Sequence, residues 1–531
     1  MKKLSIILAA TVLVGATSCK KYLDVNNNVN NPAAVDPALY LPTIESNYAL
    51  GIQFDARALG TIVQNWANSS TGNSFAPFER HGYIPGSDAS GDLWRNVYWK
   101  GGMNTVDMIN IAREQKKWDI AGAGLALQAW GWQMLTDYHG EIILKQAFDP
   151  NRNTFDYDTQ DTVYAVVKRL CEESITYLNR NSDGVGTPIF GRFDIMYRGN
   201  VTRWKRFVYG LMAINEHHRI KKADYNAAAV IRYVDSSFTG NNDDALVPFD
   251  ATGSADANFF GTTRQNLANF GQSAFIVRLM DGSRFNGAID PRRPIMLSAS
   301  TDGIYRGLAP YTTQASNTAT TAVRSLWGTT MGTLPSPASN PGKYLYQDRA
   351  PFPLMTYPML QFIKAEAALK NNDNATALDA YSKGVKAHVD FVGNGATGTG
   401  ATTLQVAFPF ITDPNVAVNY TAAKNAYLAD TSVIPTDVTK INISKIMLQK
   451  YIALWGYGFI ETWVDLRKFD YSADQFPTFA LPASLFPDNG GKPAYRMRPR
   501  YNSEYAWNVD ALTRIGGFNA DYQTYKMWIQ Q

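Results

Sequence analysis

The sequence predicts a mainly α-helical protein, built from helical hairpins stacked as an α/α superhelix and carrying one large, irregular, loop-rich lobe with short strands. Three observations predict it. Apolar residues recur at helical spacing through residues 37–237 and 350–470, and they do so in successive pairs of segments. Between residues 238 and 349 that periodicity fades into clusters of Gly, Ser, Thr, Asn and Pro. The 531 residues are 45% hydrophobic and 13% aromatic, enough to bury a large core.

Met1-Lys2-Lys3 precedes an apolar run from Leu4 that is too short for a confident membrane span, and residues 1–18 have the form of a bacterial export signal. Cys19, directly after Gly15-Ala16-Thr17-Ser18, resembles a lipobox cysteine, whose thiol accepts a diacylglycerol and becomes the new N-terminus. A second acyl chain on the freed amine completes the two-chain anchoring that stable membrane attachment takes. The competing reading is a chance thiol in an ordinary signal peptide. Residues 19–36, polar, rich in asparagine and broken by Pro32, read as a tether. Only Cys171 is then left, which excludes an intramolecular disulfide and a cysteine-built zinc site. The formal charge of +4 falls to +2 once Lys2 and Lys3 leave with the signal. No basic face stands out, so nothing suggests nucleic acid.

From Pro37 to about Asn68, Leu41, Ile44, Tyr48, Ile52, Leu59, Ile62, Val63 and Trp66 fall on one helical face, most simply as two helices packed in a hairpin. Residues 69–91 form a loop with unusual aromatic content: Phe75, Phe78, His81 and Tyr83. A helix is expected from about Leu93 to Gln115. The segment Gly122 to Phe148 carries Leu125, Gln128, Trp132, Leu135 and Tyr138 at helical spacing and ends its helix at Gly140. Another helix spans about Gln160 to Leu178, burying Val163, Val167, Leu170 and Leu178. Asn200 is a plausible N-cap before Trp204, Phe207, Val208, Leu211 and Met212. His217 and His218 are adjacent and point to different sides of a helix, which argues against a shared metal and for a structural or solvated role.

A structureless loop as long as residues 238–349 is improbable in a compact domain, so short helices, hairpins and functional excursions are expected there. Asn241, Asn242, Asp243 and Asp244 offer oxygen ligands without a calcium-loop pattern and read as a solvated polar turn. At Ala350 to Val392, Met359, Phe362, Ile363 and Leu369 face inward on one helix and Leu378, Tyr381, Val385 and Val389 on the next. Together they make a unit about the size of a tetratricopeptide repeat, roughly 34 residues. Met447, Tyr451, Leu454 and Trp455 supply the last buried stripe.

Several stretches resemble the SusD/RagB-like nutrient-binding lipoproteins of Bacteroidetes outer membranes. They include Cys19 to Asp24 with Asn26 to Asn28, the small-residue start and glycine end of Gly122 to Phe148, and Gly199 to Asn215 with Arg219. Further on come Ile289 to Met296, Asp302 to Pro310, Tyr357 with Phe362-Ile363 and Ala365-Glu366-Ala367, then Trp463, Asp465 and Arg467, and Arg498 to Tyr501. Lys20 and Lys21 replace the acidic cluster of surface-exposed relatives, and Met359 stands where relatives carry an acidic residue. The resemblance implies one SusD-like domain over residues 37–531, with a tetratricopeptide-like scaffold at 37–237 and 350–470 and a ligand face contributed by 238–349. It also implies a lipid-anchored outer-membrane protein facing the cell surface. Such a protein captures a glycan or other oligomeric nutrient and hands it to a SusC-like TonB-dependent transporter, with no cofactor.

Glu461 and Asp465 lie four apart on one helical face, as a glycoside hydrolase pair could. The competing reading is a polar helix edge with Asp465 paired to Arg467 or a neighbour. The chain has no HExxH, GxSxG or Walker-type loop, which favours binding over catalysis. A glycan site wants flat aromatic platforms beside polar side chains, and Trp66, Phe78, Tyr83, Tyr305 and Trp327, in or at the edge of loop-rich segments, are the candidates. A lipid-anchored glycoside hydrolase and a scaffold of an envelope complex are the alternatives.

Overall fold

The computed structural model describes residues 35–180, 188–336, 340–398, 408–411 and 414–531. The signal, Cys19 and nearly all of the tether lie outside them. The described chain is mainly helical, and none of its helices is long and apolar enough to cross a membrane.

The expected hairpin at the start is one helix, α1 (Leu41–Ile62). Nothing between Ile52 and Leu59 breaks it, and its glycines Gly51 and Gly60 persist because Asn96 and the Trp66 ring occupy the space a Cβ would take. The chain turns at Gln64, with φ of 54°, into β1 (Trp66–Asn68). The expected helix over 93–115 is interrupted instead. It comprises α2 (Asp92–Arg95), a π-helical turn at Asn96–Lys100, and α3 (Gly102–Glu114). The interruption needs Gly102, since a side chain there would strike the Val97 carbonyl.

Helix α4 (Trp118–His139) starts one turn earlier than its sequence pattern suggests and stops at Gly140, whose φ of 86° favours glycine. Its small residues admit neighbours: a Cβ on Gly122 would lie 2.6 Å from Leu178 on α5 (Gln160–Leu178). The Asn200 side chain accepts from the Arg203 amide at 3.1 Å, capping α6 (Val201–His217) as expected. After α7 (Ala227–Asp235) comes the irregular lobe. It is fastened to the scaffold by two short antiparallel ladders. In the first, β2 (Ala245–Val247) pairs with a later strand, β4 (Phe352–Met355); in the second, β3 (Phe270–Gln272) pairs with β1. Helix α8 (Ala274–Met280) follows β3, and the pair α9 (Tyr357–Lys370) and α10 (Asn374–Asn394) follows β4. The last large pair is α11 (Ile443–Leu454) and α12 (Phe459–Lys468).

The turn at Asn241–Asp244 is solvated at Asn242 but not at its carboxylates. Asp243 and Asp244 are buried: Asp243 accepts from Arg206 at 2.9 Å and from the Thr239 amide at 2.8 Å, and Asp244 accepts from the Tyr357 amide at 2.7 Å. These carboxylates tie the start of the lobe to α6 and α9, because buried acceptors need donors.

Candidate functional site

Two of the polar clusters among the described residues bear on function, and they differ in access. The first is buried. Lys450 Nζ on α11 lies 2.6 Å from Glu461 Oε1 and 2.9 Å from Asp465 Oδ2 on α12. Lys468 Nζ lies 2.6 Å from Glu366 on α9 and 3.0 Å from Asp465. His218, just past α6, sits 2.7 Å from Glu461 and 3.0 Å from Asp137 on α4, while His217 sits 2.8 Å from Glu366. Asp465 therefore pairs with two lysines. Arg467 turns away, stacking on Trp463 at 4.0 Å and donating to the Asp137 carbonyl at 2.7 Å. The histidines are structural but buried rather than solvated.

Burial works against every charge here, and the partners decide the outcome. Burial would raise the Glu461 carboxyl, but Lys450 and His218 hold it well below the usual carboxylate range. Burial would lower the His218 imidazolium, but Glu461 and Asp137 push it up to about 9. A hydrolase acid needs a raised pKa and access to substrate. Glu461 has neither, so this cluster is a joint between helices. Among the described residues no group of three or more His, Cys, Asp or Glu side chains is arranged to hold a metal ion.

The second place is open and is built by the loop after β1. Asn68 N donates to Glu79 Oε1 at 2.6 Å, and burial pushes that carboxyl up to about 7. The Arg80 carbonyl accepts from Phe486 N at 2.8 Å, and its guanidinium donates to the Ser484 and Leu485 carbonyls. His81, in the left-handed region at φ of 61°, accepts from Ala494 N through Nδ1 at 3.2 Å, and burial lowers its pKa to about 3, leaving that nitrogen free to accept. Gly82 then passes so close to the Phe486 ring that a Cβ would overlap it. The loop is bolted to residues 484–494.

This fixes Tyr83, which is half-buried. Its ring lies 3.9 Å below the Arg498 guanidinium and 5.2 Å from Phe486, and its hydroxyl donates to Asp488 at 2.9 Å. It lines two adjoining hollows. One, of about 530 Å³, is edged by Thr71, Asn73, Ser74, Phe75 and Phe486; the other, of about 220 Å³, by Ser87, Asp88, Tyr501, Tyr505 and Phe518. Arg498 sets the second wall, donating to Tyr505 Oη at 3.2 Å and to the Gly517, Asn519 and Ala520 carbonyls at 2.7–3.0 Å. Tyr505 stacks on Tyr501 with centroids 5.3 Å apart and meets the Phe518 ring edge-on. Flat rings beside polar edges suit a ligand with an apolar face rimmed by hydroxyls.

Of the five aromatics expected at a site, only Tyr83 presents an accessible ring to these hollows. Trp66 is fully buried among Phe260, Phe270, Tyr346 and Phe459, and Trp327 is buried with its indole N–H on the Phe260 carbonyl at 2.8 Å. Phe78 underlies the smaller hollow with 2% of its surface exposed. Tyr305 is half-buried, with the Arg293 guanidinium 4.4 Å over its ring much as Arg498 lies over Tyr83, and it lines neither hollow. Trp66, Phe78 and Trp327 are thus packed in the core, and where the lobe folds back on the scaffold the burial of large aromatics supplies much of the energy of that contact. Residues 238–349 reach the rim, through Tyr311 against Arg80 at 4.8 Å and Thr313 hydrogen-bonded to Thr71 at 3.1 Å. Sequence reasoning missed Tyr501, Tyr505 and Phe518. The available signal was a run of aromatics in the polar C-terminal stretch that follows Arg498.

No curated protein matches the chain significantly. Residues 29–493 match the SusD-like family whose description reads "Starch-binding associating with outer membrane". Among solved structures, the chain is similar to a SusD/RagB family protein from Bacteroides thetaiotaomicron, at 21% identity and a TM-score of 0.68, covering 94% of this chain and 99% of that one. It is similar to a SusD homologue from Bacteroides uniformis, at 18% identity and a TM-score of 0.65, covering 93% and 99%. A chitin-binding SusD homologue from Flavobacterium johnsoniae gives 18% identity, a TM-score of 0.67 and coverage of 93% and 98%. These identities speak for the fold alone. With that fold shared end to end and the family match spanning most of its length, the chain belongs to the SusD-like family.

Proposed function

We propose that the protein captures a glycan in the hollows around Tyr83 and delivers it to a SusC-like TonB-dependent transporter, held at the outer membrane by lipid on Cys19 and facing the cell surface. The observation that carries this reading is the Tyr83 ring, half-exposed and pinned by Arg498 and Asp488. A ring already held in place loses little entropy when a sugar face stacks on it. Thr71, Asn73, Ser74 and Asp88 give the hollows a polar edge, with Asp88 held in place by Arg500 at 2.6 Å. The family description, which names starch and the outer membrane, and the chitin-binding neighbour support a glycan as the ligand. No chemical step is needed, which accords with Glu461 and Asp465 being locked to Lys450. The helical scaffold, in this reading, supports the transporter contact.

The test is calorimetric titration of the protein with malto-, xylo- and chito-oligosaccharides, with released reducing ends assayed in the same mixtures. Saturable binding without cleavage, weakened about tenfold or more by Tyr83→Ala, is expected. Cleavage would turn the reading toward a glycoside hydrolase. Absence of binding throughout would turn it toward a non-glycan nutrient or a scaffold, and co-purification of a transporter would separate those two.

A further inference from the structure

The loop that edges the larger hollow is closed at its base by a buried acid. Thr71, Asn73, Ser74 and Phe75 all lie between Asn68, at the end of β1, and Glu79, at the end of the short helix Ala76–Glu79. Glu79 Oε1 accepts from Asn68 N at 2.6 Å and so joins the two ends of this excursion. The same loop meets the irregular lobe: Ser69 N donates to the Asn269 carbonyl at 3.1 Å, Gln314 N donates to the Ser69 carbonyl at 3.0 Å, and Thr71 N donates to Thr313. Glu79 sits where β1, the rim loop and Tyr311 of the lobe converge.

Among the described residues this carboxyl has no ion-pair partner. It is 1% exposed, its Oε2 is shielded from solvent with no hydrogen-bond partner in the protein, and the Asn68 amide group is unpartnered as well. The Asn68 side chain and the Tyr311 amide lie near enough to favour its charge without forming full hydrogen bonds. The charged groups of the surrounding elements are engaged elsewhere. Arg57, on α1, lies over the Phe54 and Phe75 rings at 4.1 and 5.0 Å, and Asp55 accepts from the Asp92 and Leu93 amides at 2.9 Å. The Arg80 guanidinium donates to the Ser484 and Leu485 carbonyls, and His81 is neutral, accepting from Ala494 N. The lobe segments in contact, 267–270 and 311–314, carry no charged side chain. A buried carboxylate without a cation is costly, and burial accordingly pushes this carboxyl up to about 7.

We propose that Glu79 is a proton-operated latch at the base of the rim loop: with its proton it holds the loop closed against β1 and the lobe, and without it the loop opens more readily and the Tyr83 hollows bind ligand less tightly. Protonation leaves Oε1 to accept from Asn68 N and makes Oε2 a donor, for which the unpartnered Asn68 Oδ1 is an acceptor. Ionised, the same carboxyl is a buried charge with only dipoles around it. Its value in the fold, about 7, lies above the ordinary 4.5, so the latch is complete below about 4.5 and is lost as pH rises through about 7. The effect on ligand affinity rests on the Tyr83 reading above, whereas the latch itself does not.

The experiment compares the full protein with Glu79→Gln, whose amide keeps an acceptor for Asn68 N and cannot ionise. Hydrogen exchange in residues 69–78, corrected for its intrinsic pH dependence, reads loop opening without any ligand. Wild-type protection is expected to fall about tenfold between pH 6 and 8, while the variant stays flat. Calorimetric titration at the same pH values with malto-, xylo- and chitohexaose is expected to show affinity falling with protection in the wild type alone. Wild-type protection that does not change, or a fall that the variant shares, overturns the latch. Protection that falls while affinity holds constant overturns its control of the Tyr83 hollows. Absence of binding by all three hexaoses at every pH overturns the glycan reading and the affinity effect with it, and the exchange result alone then decides the latch.

Discussion

Replacing Lys450 by methionine tests whether the buried charge cluster is the helix joint described above. The substitution keeps a long apolar stem and removes one charge from a site where the lysine side chain is fully enclosed. The wild-type cluster holds three cations, Lys450, Lys468 and His218, against four carboxylates, Asp137, Glu366, Glu461 and Asp465. After the change Glu461 retains only His218 and Asp465 only Lys468, so two cations face four anions. Leaving a buried charge short of its partner costs about 3–5 kcal/mol. Unfolding entropy of about 2.1 cal/mol/K for each of 531 residues gives about 1.1 kcal/mol/K, so Tm falls by about 3–5 °C. Differential scanning calorimetry reads this directly. The double variant Lys450→Met, Glu461→Gln restores the wild-type charge difference and should recover at least half of the loss. A single variant that melts with the wild type, or a double variant no better than the single, would refute the charge argument. Neither variant touches the Tyr83 hollows, so ligand affinity should not change.

Three further outcomes are expected. His218 titrates near 9 in the fold against about 6.5 when free, so its contribution is complete below about 6.5 and disappears as pH rises through 9; denaturation across that window should show the gap between wild type and His218→Gln closing by about 3 kcal/mol. Gly82→Ala forces a methyl into the Phe486 ring, costing about 1–3 kcal/mol and loosening the Tyr83 loop, so both urea stability and ligand affinity fall; a variant matching wild type in both would mean the contact relaxes freely. Trp327→Ala should lower stability by about 3–5 kcal/mol while the residual folded protein binds ligand normally, and intact stability with lost affinity would return Trp327 to the site.

The helices were the legible part. Those at Gln160–Leu178 and Val201–His217 stand where apolar spacing and the Asn200 cap put them, because both signals are local. The single long α1 was read as a hairpin because apolar spacing marks a face without saying whether the chain reverses. The interruption at Asn96–Lys100 had no local signature, since it depends on Gly102 closing against Val97. At the proposed site, Tyr83 was legible only as an aromatic in a polar loop. Trp66 and Trp327 carried the same signal and proved to be core, because loop membership says nothing about which way a ring faces.

By itself, then, the sequence determined the helical class, the paired organisation, the family resemblance and the presence of aromatic-rich loops, all encoded in spacing and composition within a few turns of chain. Only the tertiary structure decided which aromatics meet solvent and which carboxylates meet lysine. The Tyr83 loop is oriented by bonds such as Arg80 to Ser484, 404 residues apart, and the groove wall comes from a C-terminal segment folded back against it. Contacts of that range leave no period in the sequence, because their free energy is realised only once the whole core has brought the two segments together.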